Sequence, residues 1–225
     1  MPPYINETNN GAVAPRITVR TLRAQRDGAE IAVGITVERG EQSESVLLPL
    51  STDAYCELKP QKGEITEEQF LLLEAASRRC MAIRCGENLL SYGPNTAQAL
   101  TRKIVKHGFS REEAEEATAH LLSLGLIDEL SDLEHEVEKC LRKYWGERRI
   151  RAHLWNRGFD PQTLEKLPEI LESVDFPALC ATLIRKHYGG IPEDAAGKNR
   201  MNAALYRYGF SFAEVRAAAR ILKDE

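Results

Sequence analysis

The chain has 225 residues, 43% of them hydrophobic and 28% charged, enough apolar material for one large domain or two small ones and too much for disorder throughout. Its 30 Lys and Arg against 34 Asp and Glu leave a formal charge of −4, and the mean hydropathy is −0.38. A polycation that coats nucleic acid is thereby excluded, so any anion-binding surface has to be a local patch.

The N-terminal run from Met1 has neither the basic region nor the apolar core of a signal peptide, and no apolar stretch approaches the roughly 18 residues of a membrane span. A cytoplasmic protein is expected. The cysteines Cys56, Cys80, Cys85, Cys140 and Cys180 are odd in number and scattered, as reduced thiols are. Cys80 and Cys85 fall on different faces of a helix. The histidines His107, His120, His135, His153 and His187 stand at no ligand spacing with them, so neither a metal site nor a cofactor is expected.

Residues 1–15, rich in Pro, Asn and Gly, read as a disordered lead. Alternation follows: Ile17, Val19 and Thr21 share one face, Ile31, Val33, Ile35 and Val37 another, with Asp27-Gly28 as a hairpin turn. A second turn at Arg39-Gly40-Glu41 precedes Val46-Leu47-Leu48, giving a meander of about three strands. A short helix near Ser51–Leu58 and a break at Lys59–Gly63 end this part. From Thr66, which opens a Thr-Glu-Glu-Gln capping box, the period is helical and no further strand is expected.

The helical part repeats itself. Lys106-His-Gly-Phe-Ser110, Asn156-Arg-Gly-Phe-Asp160 and Arg207-Tyr-Gly-Phe-Ser211 put Phe109, Phe159 and Phe210 at intervals of 50 and 51 residues. Four residues before each Gly stand Ile104, Leu154 and Leu205, and eight before it Leu100, Ile150 and Met201. Val105, Trp155 and Tyr206, three before, are assigned to the same apolar stripe, which makes Trp155 a core residue; Trp145 is left open between core and interface. Gly108, Gly158 and Gly209 supply the left-handed residue that ends a helix, and Ser110, Asp160 and Ser211 cap the next. Each Phe is expected to staple the two helices together. With a further helix near 67–91, 131–145 and 176–188, the chain is expected to be mainly α. Three tandem three-helix repeats would form an elongated array behind a small β-hairpin or meander region. The expected boundaries are 1–15 (lead), 16–63 (β-rich region), 64–128, 129–175 and 176–225 (the repeats).

Basic residues gather on the second helix of each repeat and just before it: Arg102, Lys103 and Lys106; Arg142, Lys143, Arg148, Arg149, Arg151 and Arg157; Lys198, Arg200 and Arg207. The helix after each junction is acidic in the first two repeats, with Glu112, Glu113, Glu115 and Glu116, then Glu165, Glu169 and Glu172. A helix-turn-helix reader would have to push that acidic helix into the major groove, so operator recognition is disfavoured. The basic stripe reads either as a surface for an acidic partner, protein or nucleic acid, or as a solvated face. No Walker A loop, His-Glu-x-x-His or nucleophile–base pairing is present, and the junction glycines already have capping roles, so no catalytic residue is assigned.

These features resemble the RecX family of bacterial recombination regulators over about Ala75–Leu222. Leu124-Gly125-Leu126-Ile127-Asp128-Glu129 resembles the family's Gly-aromatic-aliphatic-Asp-Asp run, with Leu126 and Glu129 as departures. Trp145-Gly146-Glu147-Arg148-Arg149-Ile150-Arg151-Ala152-His153-Leu154 resembles its Gly-x-x-x-Ile-x-x-x-Leu stretch. Tyr92-Gly93-Pro94-Asn95 lacks the family's usual basic residue and Ser. The resemblance implies a modulator that binds the RecA recombinase filament and suppresses its ATP turnover and strand exchange. Apart from the resemblance, a monomer without enzymatic activity is expected. Single-stranded DNA in or near the filament would be a further partner. A helical repeat protein that binds nucleic acid directly is the alternative.

Overall fold

Alternating apolar residues and turn glycines build an antiparallel sheet at the start of residues 14–224, the part of the chain described by the computed structural model. The lead expected over 1–15 lies outside the described residues as far as residue 13. Strands β1 (Arg16–Gln25), β2 (Glu30–Arg39) and β3 (Gln42–Ser51) form the meander, and a fourth, β4 (Gly63–Ile65), completes the order β3-β2-β1-β4. β4 begins at Gly63, the last residue of the stretch read as a break, and is not expected from the pattern because a strand this short shows no alternation; it pairs Ile65 with Ile17 and Gly63 with Val19. A register shift between Val19 and Thr21 turns Thr21 off the core face, and Leu22 packs there instead.

The sheet's buried face holds Ile17, Val19, Val33, Ile35, Val37, Leu48 and Leu50, and it shares that core with Leu73 of α2 (Glu67–Ser91). Phe70 and Ala76 pack against the same cluster. A boundary at residue 63 therefore cuts through one hydrophobic core. The chain divides elsewhere into two compact units. One runs to Gly93 and takes in Leu100–Leu124; the other comprises Pro94–Ala99 and the residues from Gly125 onward.

The fold is mainly helical. Besides α1 (Thr52–Leu58) and α2 it contains α3 (Ala97–Lys106), α4 (Arg111–Ser123), α5 (Glu129–Arg142) and α6 (Glu147–Arg157). Then come α7 (Pro161–Leu164), α8 (Leu167–Leu171), α9 (Phe176–Tyr188), α10 (Ala195–Tyr208) and α11 (Phe212–Ile221). The break between α7 and α8 splits what the pattern suggested as one helix. Pro168 has no N–H to donate to the carbonyl of Leu164, and the ladder stops there.

The three Gly-Phe junctions are built as their residues demand. Gly108, Gly158 and Gly209 have φ of +95°, +78° and +97°. Thr66 with Gln69, Ser110 with Glu113, and Ser211 with Glu214 form complete capping boxes, while Asp160 accepts from the N–H of Gln162. Leu100, Ile104, Ile150, Leu154, Met201 and Leu205 are all buried, each contributing about 1.5–3 kcal/mol of transfer free energy. At the position three before the glycine Tyr206 still packs against the core, but the other two members do not. Val105 is 39% exposed and Trp155 68% exposed. Residues eight and four before the glycine are about 40° apart around a helix, whereas the third lies about 100° further on and leaves the stripe. Trp155 is thus a surface residue, not a core one. The junction phenylalanines are not equivalent either: Phe159 and Phe210 are buried, but Phe109 is only half-buried, under the Arg78 guanidinium 5.4 Å from its ring centre.

Candidate partner-binding surface

In the second unit the basic helix α6 turns Ile150 and Leu154 inward, which leaves Arg148, Arg151, Ala152 and Trp155 along the outer face at helical spacing. Its N-terminus is held from outside its own sequence. The N–H groups of Gly146 and Arg148 donate to the carbonyls of Tyr208 and Gly209, at 2.8 and 3.3 Å, so the end of α10 satisfies the start of α6. A Cβ on Gly146 would lie 2.5 Å from the carbonyl carbon of Gly209, so only glycine allows this approach.

The cations of the middle cluster divide by environment. Arg149 lies 4.1 Å from the Trp145 ring centre and 5.5 Å from that of Tyr208, and Lys143 lies 5.1 Å from Trp145. Trp145 also meets His153 edge-on, with ring centres 5.1 Å apart, and packs against the unit's core. Trp145 and Arg149 thus belong to one stacked cluster at the edge of the unit's core. Arg142 pairs with Glu138 at 2.9 Å and Arg151 with Glu147 at 2.6 Å. Arg157 faces Glu136 at 3.8 Å. The exposed Arg148 side chain takes part in no ion pair among the described residues.

The remaining candidates sit on two other helices. Arg102, Lys103 and Lys106 are exposed along α3, the last two in its final turn. On α10 the three candidates separate: Lys198 lines one groove with Asn202, while Arg200 and Arg207 line another with Ala203 and Ala204. One face of α10 does not carry all three.

Sequence spacing did not reveal the cluster around Glu136. This carboxylate is only 7% exposed and receives His153 Nε2 at 2.9 Å and Lys139 Nζ at 3.3 Å, with Arg157 beyond. Burial alone would raise its pKa, but the hydrogen bond from His153 and the charges of Arg157 and Lys139 outweigh it and hold the acid below the usual carboxylate range. Cys140 lies beside it, completing a Glu–Cys–His trio whose donor atoms fall within 4.8 Å of one another. Burial pushes that thiol up to about 11, so it stays protonated, and Lys139 and Arg157 already neutralise the carboxylate. The arrangement is an ion network around a buried carboxylate, tying α5 to α6. Glu129 plays a similar local part: its carboxylate accepts from the N–H groups of Ala97 at 2.7 Å and Asp160 at 2.9 Å, at two helix starts.

No protein-family model matches the chain. It is 30% identical over 128 residues to the regulatory protein RecX of Ectopseudomonas mendocina (strain ymp), covering 57% of this chain and 85% of that one. The chain belongs to the RecX family. The RecX protein of Stenotrophomonas maltophilia (strain R551-3) is 28% identical over 138 residues, 61% of this chain and 84% of its own. A crystal structure of a regulatory protein RecX superposes with a TM-score of 0.68 at 18% identity, covering 93% of this chain and all of that one. RecX from Lactobacillus salivarius gives 0.58 at 19% identity over 67% of this chain and 99% of its own. The RecX fold, a regulator's fold, is thus this chain's fold. Among the described residues no helix is long and apolar enough to cross a membrane.

Proposed function

We propose that this protein binds a RecA recombinase filament and lowers its DNA-dependent ATPase and strand exchange, using α6 as a principal contact. Membership of the RecX family supports the regulatory role. The observation that carries the contact is the outer face of α6, where Trp155 stands 68% exposed on the same side as Arg148 and Arg151. Trp and Arg are the residues most often found as interface anchors, and an exposed Trp among cations matches an acidic surface with an apolar recess. In this reading α2–α4, α5–α8 and α9–α11 act as three successive helical units. Arg102, Lys103, Lys106, Arg142, Lys143, Arg157, Lys198, Arg200 and Arg207 would each add weaker contacts of their own.

The test is the ATPase of the cognate recombinase on single-stranded DNA, with and without the protein. The parent should lower it, and the pair Arg148→Glu with Trp155→Ala should relieve most of the effect at an unchanged helical spectrum and melting temperature. Arg149 is left alone because it holds Trp145 and Tyr208. A folded double variant that inhibits like the parent removes α6 from the mechanism. A parent without effect on ATPase or strand exchange overturns the functional reading. Tight, steeply salt-dependent binding to single-stranded DNA alone would favour the nucleic-acid alternative.

A further inference from the structure

At the far end of the second unit, the last turn of α9, the Gly189–Glu193 loop, α10 and α11 enclose a groove of 710 Å³, within the size range of ligand sites. Its floor is aliphatic: Met201 and Val215 are buried, and Ile191 and Leu222 are half-buried beside them. Its rim carries Arg185, Lys198, Arg216 and Lys223, all exposed, against one lining carboxylate among the described residues, that of Glu193. On a chain of net charge −4 this is a local reversal of sign. Phe212 stands on the rim, 63% exposed, because Phe210 two residues earlier fills the buried place at the junction. The Arg216 guanidinium lies 5.7 Å from the Phe212 ring centre.

The arrangement discriminates among anions. A single phosphate needs donors that converge on one point, whereas these cations come from three helices and surround an apolar floor. A nucleic-acid strand needs a series of aromatic platforms; here Tyr206 packs against the core, and Phe212 alone of the lining aromatics stands out. Carboxylates spaced along a peptide, with aliphatic or aromatic side chains between them, match both the rim and the floor.

We propose that this groove docks an acidic, amphipathic peptide segment of a protein partner, its apolar side chains on Met201 and Val215 and its carboxylates on the basic rim. The proposal goes beyond the α6 contact and does not depend on it. It is tested with the full-length protein by fluorescence anisotropy of a labelled synthetic helix of about 15 residues, Leu and Phe on one face and Glu and Asp on the other. A peptide with Lys at every acidic position and an oligothymidylate of equal length serve as comparisons. The acidic peptide should bind and weaken with salt, and the two comparisons should bind at least about tenfold more weakly. The pair Lys198→Glu and Arg216→Glu, and separately Phe212→Ala, should each reduce its affinity about tenfold or more. All three side chains are exposed, so an unchanged helical spectrum is expected. No binding of the acidic peptide, equal binding by the variants, or equal or tighter binding of the oligothymidylate would overturn the proposal. No filament is present in this assay, so its outcome is separate from that of the ATPase test.

Discussion

Replacing Gly146 by alanine or serine separates local helix chemistry from tertiary contact. Gly146 has φ −77° and ψ 163°, a conformation any residue adopts, and it occupies the N-cap of α6. Local rules therefore favour serine, a better cap than glycine by a few tenths of a kcal/mol; alanine restricts the unfolded chain, worth about 0.4–1 kcal/mol, but caps poorly. The tertiary structure reverses the sign. A Cβ there would stand 2.5–2.6 Å from the carbonyl carbon and oxygen of Gly209 and the nitrogen of Phe210, all backbone atoms with no rotamer to give way. Relief requires α6 to move away from the end of α10, which strains or breaks the hydrogen bonds that Gly146 and Arg148 donate to Tyr208 and Gly209. Overpacking costs about 1–3 kcal/mol and each of the two lost bonds about 0.5–1.5, so after the local gain the net destabilisation should be about 1–5 kcal/mol. That corresponds to about 2–4 °C of melting temperature per kcal/mol at this chain length. Both tryptophans, Trp145 and Trp155, lie in the same unit as the junction, so urea unfolding followed by their fluorescence reports the right transition. A neutral or stabilising Gly146→Ser would refute the close approach of α6 and α10.

Two further outcomes follow from burial and charge. Phe210→Ala and Phe159→Ala should each cost about 3–5 kcal/mol in urea titrations, and the half-buried Phe109→Ala only about 1–2; equal losses at all three would contradict the observed difference in packing. The Arg78 guanidinium, bonded to Glu113 at 2.5 and 2.9 Å, holds that carboxyl down to about 2. A depressed folded pKa stabilises fully above the unfolded value near 4.5 and loses its contribution as pH falls toward 2. Between those limits the parent should lose about 1–2 kcal/mol more than Glu113→Gln, a figure reduced for the partial exposure of Arg78; parallel pH profiles would show that the pair contributes nothing.

The junctions were legible in the sequence because their causes are local. A glycine with positive φ, a cap three residues before its carboxylate and an apolar pair four residues apart need only the chain's own geometry, so Gly108, Ser110, Glu113 and the Ile150–Leu154 stripe follow from spacing. The alternation of β1 to β3 is local in the same sense, whereas β4 exists because Ile17 offers it a paired edge. The candidate surface was legible only in outline. Composition along α6 shows that it is basic, but not which cations are committed. Arg149 is held by Trp145 and Tyr208, the latter about 60 residues away in the chain. Position along the stripe suggested that Trp155 was buried; the 100° turn per residue and the packing of α6 place it outside and set Trp145 against His153 instead. Glu136, His153 and Arg157 meet because α5 and α6 pack together, and no spacing rule encodes that. Backbone conformation and caps depend on neighbours a few bonds away, so the sequence by itself determined them. Which side chains face solvent, pair or close a groove depends on surfaces contributed by distant segments, and only the tertiary structure decided those.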